Sequence, residues 1–191
     1  MEGKGRNRLR IIGGDWRGRR LSFPDVAGLR PTPDRVRETL FNWLQGELAG
    51  RRCLDLFAGS GALGLEAASR GAAETVWVEQ DRHAVQALRA NLRELGHTAG
   101  RVEQADALRW LRQGAQPFDI VFIDPPYQAG LLSPAVGLLE SGGWLAPGAW
   151  IYLEHDSHQA RPVLPQNWQV IRDRRAGQVN YYLLQRQADS E

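Results

Sequence analysis

The chain of 191 residues has little cysteine, little lysine and no long apolar run. With one cysteine, Cys53, no intramolecular disulfide can form, and its position in a predicted central strand indicates a buried, inert thiol. Lys4 is the single lysine, which removes lysine-based Schiff-base chemistry from consideration. No apolar run approaches the roughly 20 residues that span a bilayer. Because Met1 is followed by basic, polar residues instead of an apolar signal segment, we expect a soluble protein of the reducing cytoplasm.

Histidine is also sparse. The four histidines show no metal-ligand spacing with a cysteine or with paired carboxylates, so the sequence predicts no metal site. They are His83, His97, His155 and His158. The length and the 42% apolar content suit one domain with a sizeable core and a small appendage. We expect a basic arm and hairpin over residues 1–28, followed by a single globular domain over 29–191.

Charge is distributed unevenly along the chain. Residues 1–20 hold seven basic and two acidic residues, a net of +5, which leaves −3 for the rest of a chain whose total is +2. A basic arm on a mildly acidic body indicates contact with phosphates, because Lys and Arg neutralise them in a salt-dependent way.

Hydrophobic periodicity predicts an α/β fold. Residues 9–23 predict a hairpin, and Thr32 is a candidate N-cap for a helix that begins with Pro33. Short apolar strands then alternate with helices, as in a parallel sheet covered on both faces. The predicted strands are 53–57, 75–78, 101–105, 118–123 and 150–153, and the helices between them are 62–69 and 81–96. Two extended runs, 168–174 and 179–185, predict a closing hairpin with an antiparallel C-terminal strand.

A glycine-rich turn follows the first strand of this alternation. Residues 59–64 match G-x-G-x-x-G between a strand and a helix, and the acidic Glu79 ends the next strand. Glycines allow a ligand to approach the backbone, and a carboxylate at that strand end can bind the ribose hydroxyls of an adenosine-containing cofactor. The spacing predicts the adenosine but not what is attached to it. Asp55, just before the glycines, suits a cationic amino or sulfonium group.

A second motif, Asp124-Pro125-Pro126-Tyr127, follows the apolar run 120–123. An exocyclic amine of a base is a poor nucleophile, since its lone pair is delocalised into the ring. The carboxylate of Asp124 and the carbonyl of Pro125 can accept both N–H groups and direct the lone pair at a methyl donor, while the two prolines hold the acceptors rigidly. Tyr127 offers an aromatic face on which the base can stack. The motif therefore predicts methyl transfer to an amino nitrogen of a nucleic-acid base.

Three alternatives remain open on the residues alone. A DNA adenine-N6 methyltransferase needs the same acceptor motif, although 191 residues leave little room for a target-recognition domain. An NAD-binding oxidoreductase fits the glycine spacing but lacks a Tyr-x-x-x-Lys pair. A non-catalytic RNA-binding module has no need of both motifs.

The sequence resembles a known family over about residues 8–186. Residues 55–61 resemble motif I of the class I S-adenosylmethionine methyltransferases, Glu79 their ribose-binding acid, Asp106 the residue near the adenine, and residues 124–127 their motif IV. More narrowly, residues 10–14, 30–32, 35–41 and 63–66 resemble the bacterial 16S ribosomal RNA guanine-N2 methyltransferases of the RsmD family.

This resemblance implies a Rossmann-like, seven-stranded methyltransferase sheet. It also implies S-adenosylmethionine as cofactor and methylation of one guanine of 16S rRNA, within an assembled or assembling small subunit, by a monomer. The implied catalytic residues are Asp124, Pro125, Pro126 and Tyr127. The implied cofactor-binding residues are Arg30, Thr32, Asp55, Phe57, Gly59, Ser60, Gly61, Glu79, Gln80, Asp106 and Ala107. The candidates for RNA contact are Arg10, Trp16, Arg17, Arg19 and Arg35.

Overall fold

A computed structural model describes residues 7–126 and 130–188. Within these ranges the chain forms nine strands and five helices. The strands are β1 (Asn7–Arg10), β2 (Arg20–Phe23), β3 (Arg52–Asp55), β4 (Glu74–Glu79), β5 (Gly100–Gln104), β6 (Phe118–Ile123), β7 (Leu145–Asp156), β8 (Trp168–Ala176) and β9 (Val179–Arg186). The helices are α1 (Asp34–Trp43), α2 (Ala62–Ser69), α3 (Arg82–Glu94), α4 (Ala107–Trp110) and α5 (Leu132–Ser141).

Seven strands form one sheet in the order β5-β4-β3-β6-β7-β9-β8. The first five are parallel, and β9 runs antiparallel to both β7 and β8. The predicted α/β sheet with an antiparallel C-terminal strand is confirmed. The last strand of the chain does not lie at the edge, however, because β9 carries the buried run Tyr181–Leu184, whereas Arg172–Arg175 of β8 are exposed. The charged strand is therefore the edge strand, where unpaired backbone groups face water.

The two faces of the sheet are covered by different helices. Val121 and Ile123 of β6 pack with buried residues of α4 and α5, whereas Ile120 and Phe122 pack with α1. This alternation follows from the two-residue period of a strand, and because both faces are covered, every apolar side chain of β6 is buried. Cys53 lies in the second of these layers, where burial raises the pKa of its thiol to about 12.

The N-terminal hairpin, β1 paired with β2, packs against α2 and α3. Leu9, Ile11, Leu21 and Phe23 are buried in one cluster with side chains of those helices and of β4. The hairpin predicted over 9–23 is therefore present, and its apolar side chains belong to the core. In the described part of the chain, no helix has both the length and the apolar character needed to cross a bilayer.

Most predicted elements are confirmed, with α2 and β6 at their predicted bounds. The prediction of Thr32 as N-cap is wrong. Pro33 occupies the N-cap position of α1, without a side-chain cap bond, and the Thr32 hydroxyl donates its hydrogen bond elsewhere. Helices α4 and α5 were not predicted. The first is a single turn of four residues, and the second is apolar on much of its surface and contains Pro134, so neither shows a clear amphipathic stripe.

Candidate active site

The carboxyl ends of three adjacent strands bring the predicted motifs together. β3 lies between β4 and β6, and the three strands end at Asp55, Glu79 and Ile123. Because parallel strands end at the same edge of a sheet, the glycine turn after β3, Glu79 and Asp124 share this edge. Ligands of open α/β sheets bind at such a crevice.

The glycine turn is shaped by close packing against α3 and β4. Gly61 has a φ of 81°, and a Cβ atom there would lie 2.6 Å from Leu88. At Gly64, in the first turn of α2, a Cβ would lie 2.2 Å from the indole nitrogen of Trp77. That nitrogen donates a hydrogen bond of 3.2 Å to the Gly61 carbonyl. Glycine at positions 61 and 64 therefore allows α2 to begin directly against the sheet.

Glu79 joins the glycine turn to the loop before α3. One carboxylate oxygen accepts from the Gly59 N–H at 2.7 Å, and the other accepts from the Asp81 N–H at 2.8 Å. Each carboxylate oxygen has a second lone pair. The side chain is thus held at the strand end by two backbone donors and retains acceptor capacity for ribose hydroxyls.

Asp55 is a buried carboxyl group at the end of β3, with 2% exposure. One of its oxygens accepts from the Gly64 N–H at 2.9 Å. Its pKa is raised to about 8, first by burial and then by the charges of Asp124 and Glu79, against the lowering effect of the Gly64 bond. A ligand with a positive charge would offset this desolvation. Asp55 therefore fits the cationic amino or sulfonium group that the sequence predicts here.

The other residues that the sequence predicts to bind the cofactor differ in how exposed they are. Thr32 and Ser60 are buried, Ala107 is buried at the start of α4, and Phe57 is partly buried against the sheet. Gln80, Asp106 and Arg30 are exposed. Asp106 caps α4, since its carboxylate accepts from the Arg109 N–H at 2.9 Å. Its predicted contact with adenine stays a prediction.

Asp124 lies at the corner where β6 ends. Its side chain is partly buried, and Thr32 donates a hydrogen bond to its Oδ2 at 3.3 Å. Pro125 is buried and Pro126 exposed, so the corner is anchored by the first proline. Tyr127, the predicted stacking residue, lies outside the described residues. The structure thus brings Asp124 next to Asp55, close enough for the charge of Asp124 to raise the pKa of Asp55.

Two charged groups near this corner are buried, which the motifs did not predict. Arg37 of α1, 1% exposed, donates from Nε to the Thr32 carbonyl at 3.1 Å and from Nη1 to the Arg10 carbonyl at 3.0 Å. Glu66 of α2, fully buried, accepts from the Gly13 N–H at 2.7 Å and forms ion pairs with Arg37 at 3.5 Å and with Arg70 at 3.0 Å. Arg37 and Glu66 lie in two segments that resemble the family, residues 35–41 and 63–66. The hydrophobic periodicity of these segments does not indicate that the two side chains are buried together.

A third missed residue is Glu154 of β7, which is 3% exposed and lies beside Asp124, within reach of a hydrogen bond when one of the two carboxyl groups is protonated. The sequence signal that could have identified Glu154 is the same one that identifies Asp124. An acidic residue follows an apolar run, Ile151–Leu153, in a strand that the order of the sheet places beside β6.

The candidates for RNA contact lie on the hairpin, its connecting loop and α1. Arg10 and Arg19 form exposed ion pairs, each at 3.2 Å, with Asp34 and Glu94 respectively. Trp16 is partly buried and contacts His97 edge to face, with ring centroids 5.1 Å apart. The other two candidates, Arg17 and Arg35, are exposed.

Comparison with known proteins places the chain in a family. The sequence profile of the family described as conserved hypothetical protein 95 matches residues 9–185. The chain is 51% identical over 187 residues to Ribosomal RNA small subunit methyltransferase D of Escherichia coli K12, covering 98% of this chain and 94% of that protein. It is 43% identical over 182 residues to the protein of the same name from Haemophilus influenzae, with 93% of each covered. The solved structure of yhhF from Escherichia coli has a TM-score of 0.91 and 49% identity, and it matches 96% of this chain and 100% of that one.

The fold and the site agree with these matches. A turn that admits an adenosine, next to a buried acid suited to a cation, is the arrangement expected for a sulfonium methyl donor, and the chain is a class I, S-adenosylmethionine-dependent methyltransferase. More narrowly, it belongs to the family of ribosomal RNA small subunit methyltransferase D. The oxidoreductase and the non-catalytic module are thereby excluded.

Proposed function

We propose that this enzyme methylates the exocyclic N2 amine of one guanine in 16S rRNA. The observation that carries the proposal is the corner after β6, where the Asp124 carboxylate is held by Thr32 next to the cofactor edge of the sheet. The printed names of the relatives, which specify small-subunit ribosomal RNA, support the choice of substrate.

The residues at this corner act mainly by orienting the amine. Asp124 and the Pro125 carbonyl accept its two N–H groups, which directs the nitrogen lone pair to the site of the methyl group. S-adenosylmethionine, when bound, supplies that methyl group. Asp55, Glu79 and the glycine turn would hold the cofactor, and Asp124 takes up the proton that the methylated nitrogen loses. The target guanine must be turned out of its stack, since an amine inside a helix cannot meet the donor in line.

The basic N-terminal region, residues 1–28, is the proposed RNA-binding element beside the methyltransferase domain, residues 29–191. Arg10 and Arg19 are engaged in exposed ion pairs. Such pairs are worth only about 0–1 kcal/mol, so phosphate oxygens can replace the carboxylates at little cost. Arg17 and Arg35 are exposed and available to phosphates. Trp16 contacts His97 edge to face, so a base can stack only on the part of the Trp16 ring that remains exposed.

We further propose that the substrate is an assembled or assembling small subunit, that the enzyme acts as a monomer, and that it works in the cytoplasm. A short basic hairpin suits reading a shaped RNA site better than reading a sequence in duplex DNA. The basic arm, with a net charge of +5 over residues 1–20, supports contact with the phosphates of a preformed particle.

The test is to incubate the enzyme with labelled S-adenosylmethionine and undermodified small subunits, with naked 16S rRNA and duplex DNA in parallel. Digestion then identifies the methylated nucleoside. We expect N2-methylguanosine, formed fastest on the subunits. Label in naked RNA alone would contradict the particle as substrate, and N6-methyladenine in DNA would contradict the RNA substrate while leaving the acceptor corner in place.

A further inference from the structure

Glu154 is the nearest acidic neighbour of Asp124 on β7. The parallel strands β6 and β7 pair Ile123 with Leu153, so the residues that follow, Asp124 and Glu154, lie side by side and project from the same face. Their side chains lie within reach of a hydrogen bond, which can form only when one of the two carboxyl groups carries a proton. Glu154 is 3% exposed. Two carboxyl groups thus lie together at the acceptor corner, and one of them, Glu154, is almost completely shielded from water.

The partners of Glu154 stabilise an uncharged carboxyl group. The Tyr152 hydroxyl donates to its Oε1 at 2.5 Å. Within residues 7–126 and 130–188, no arginine or histidine forms an ion pair with Glu154. A buried carboxylate without a cation is costly. A carboxylic acid, in contrast, accepts from Tyr152 and has one O–H to donate.

Among the groups around Glu154, the Asp124 carboxylate is the acceptor to which the Glu154 O–H can donate. Burial and the charge of Asp124 raise the pKa of Glu154 well above its ordinary value. Burial also raises the pKa of Asp124, but hydrogen bonds from Glu154 and Thr32 lower it. Two adjacent carboxyl groups cannot both ionise readily, so the pair retains one proton. The polar groups that face the pair are Thr32 before α1, Asp55 of β3, Tyr152 of β7 and Tyr181 of β9.

We propose that neutral Glu154 is a positioning residue, which donates its O–H to the Asp124 carboxylate and holds that carboxylate as the acceptor for the target amine. Thr32 donates from the other side of the corner. With two fixed donors, the Asp124 carboxylate keeps its orientation and its remaining lone pairs face the amine. Glu154 thereby acts through Asp124.

The proposal rests on the proposed function, because the amine is the group that Asp124 orients. In the reaction, the N–CH3 bond forms as the S–CH3 bond breaks, and the nitrogen takes over the positive charge of the sulfonium. Asp124 then removes one N–H proton, which leaves the methylated amine neutral. The carboxyl pair holds two protons at that point and returns one to solvent. Glu154 keeps its own proton throughout.

A cavity beside the corner suggests a competing role for Glu154. The space, about 140 Å³, is lined by Pro125 and Pro126 on one side and by Glu154 and His155 on another. An ionised Glu154 could bind a base there directly. The two roles differ in what they require, since a positioning donor needs an O–H or N–H, whereas a base-binding carboxylate needs two acceptor oxygens.

The substitutions Glu154→Gln and Glu154→Leu separate these roles, because glutamine retains a donor and leucine has none. We would measure kcat, KM and their pH profiles on undermodified small subunits for both variants and the wild type. Infrared difference spectra of the wild type minus E154Q, both without cofactor or RNA at neutral pH, give a second readout, the carbonyl band of a protonated Glu154. The band of protonated Asp55 is common to both proteins and cancels in the difference. Thermal unfolding confirms that both variants fold.

We expect E154Q to keep kcat within about threefold of the wild type. E154L should lose tenfold or more in kcat with an unchanged KM for the cofactor. The acid limb of its profile should move to higher pH, since Asp124 has lost a donor that lowers its pKa. The difference spectrum should show one protonated-carboxyl band that the wild type has and E154Q lacks. An E154Q variant as impaired as E154L, an E154L profile equal to that of the wild type, or a difference spectrum without that band would each overturn the proposal. The infrared result does not depend on the RNA substrate, so it distinguishes failure of this inference from failure of the proposed function.

Discussion

The hydroxyl of Thr32 donates a hydrogen bond to Oδ2 of Asp124 at 3.3 Å, although the two residues are 92 positions apart in the chain. The carbonyl of Thr32 is held in turn by Arg37, which lies against the fully buried Glu66. Glu66 also accepts from backbone N–H groups of the hairpin region at Ile12 and Gly13. A continuous set of polar contacts therefore links the proposed RNA-binding arm to the proposed catalytic carboxylate.

Replacing Thr32 with valine should slow methyl transfer by about tenfold or more. The change keeps the shape of the side chain but removes its donor, and a hydrogen bond to a charged group is worth about 1.5–3 kcal/mol. The measurement is single-turnover methylation of small subunits at saturating cofactor. Thr32→Ser, which keeps the hydroxyl, is the matched control and should stay near the wild-type rate. Equal rates for both variants would show that the bond has no role in the reaction.

Replacing Arg37 with methionine should destabilise the protein by about 1–3 kcal/mol, because the Thr32 and Arg10 carbonyls would lose a buried donor, while Glu66 would keep Arg70 as a cationic partner. Urea unfolding measures the change. Arg35→Met is the control, since Arg35 is exposed on the same helix and its loss should change the free energy of unfolding by about 0.5 kcal/mol or less. If the two variants unfold alike, the buried hydrogen bonds of Arg37 do not stabilise the fold.

Cofactor binding at pH 7 should release close to one proton, and Asp55 is the source. Its pKa of about 8 lies above the usual value near 3.9, so the folded protein holds this proton at pH 7 and a cationic ligand displaces it. The contribution of Asp55 to stability therefore falls as pH rises from about 4 to 8, since the unfolded state has already lost the proton.

Titration calorimetry in buffers of different ionisation enthalpy measures that release. In Asp55→Asn, which can still accept from Gly64, the release should disappear. In the wild type it should fade above pH 9, where Asp55 is already ionised. Unchanged proton release in Asp55→Asn would assign it to another group.

Alanine at position 64 should destabilise the fold by about 1–3 kcal/mol, because its Cβ would overlap the Trp77 indole. Gly137 in α5 is the control: a Cβ there meets nothing within 4 Å, so Gly137→Ala should stabilise by about 0.5–1 kcal/mol. Thermal unfolding of both variants gives the comparison, and a Gly64→Ala protein as stable as the wild type would contradict the packing account of the third glycine.

The sheet could be predicted from sequence because its strands are short apolar runs between helices with glycine ends. The site could be predicted where the function depends on a short contiguous motif, as in the turn of residues 59–64 and the corner at Asp124. The positions of Glu154, Arg37 and Glu66 could not be predicted in the same way. Each depends on a contact between distant elements, such as the register of β6 against β7, which no local pattern specifies.

The failed prediction at Thr32 has the same origin. A threonine before Pro33 matches the local pattern of an N-cap, and local propensity favours that role. In the fold, the hydroxyl of Thr32 reaches Asp124 instead, and α1 begins without a side-chain cap. The tertiary contact outweighs a cap worth about 1 kcal/mol.

The most direct test of the account is the Asp124→Ala variant, assayed separately for cofactor binding and for methyl transfer. We predict that calorimetry will show S-adenosylmethionine bound with nearly the wild-type affinity, while formation of N2-methylguanosine on small subunits falls by at least a hundredfold. Full methylation by this variant, with cofactor binding unchanged, would contradict the assignment of Asp124 as the catalytic acceptor.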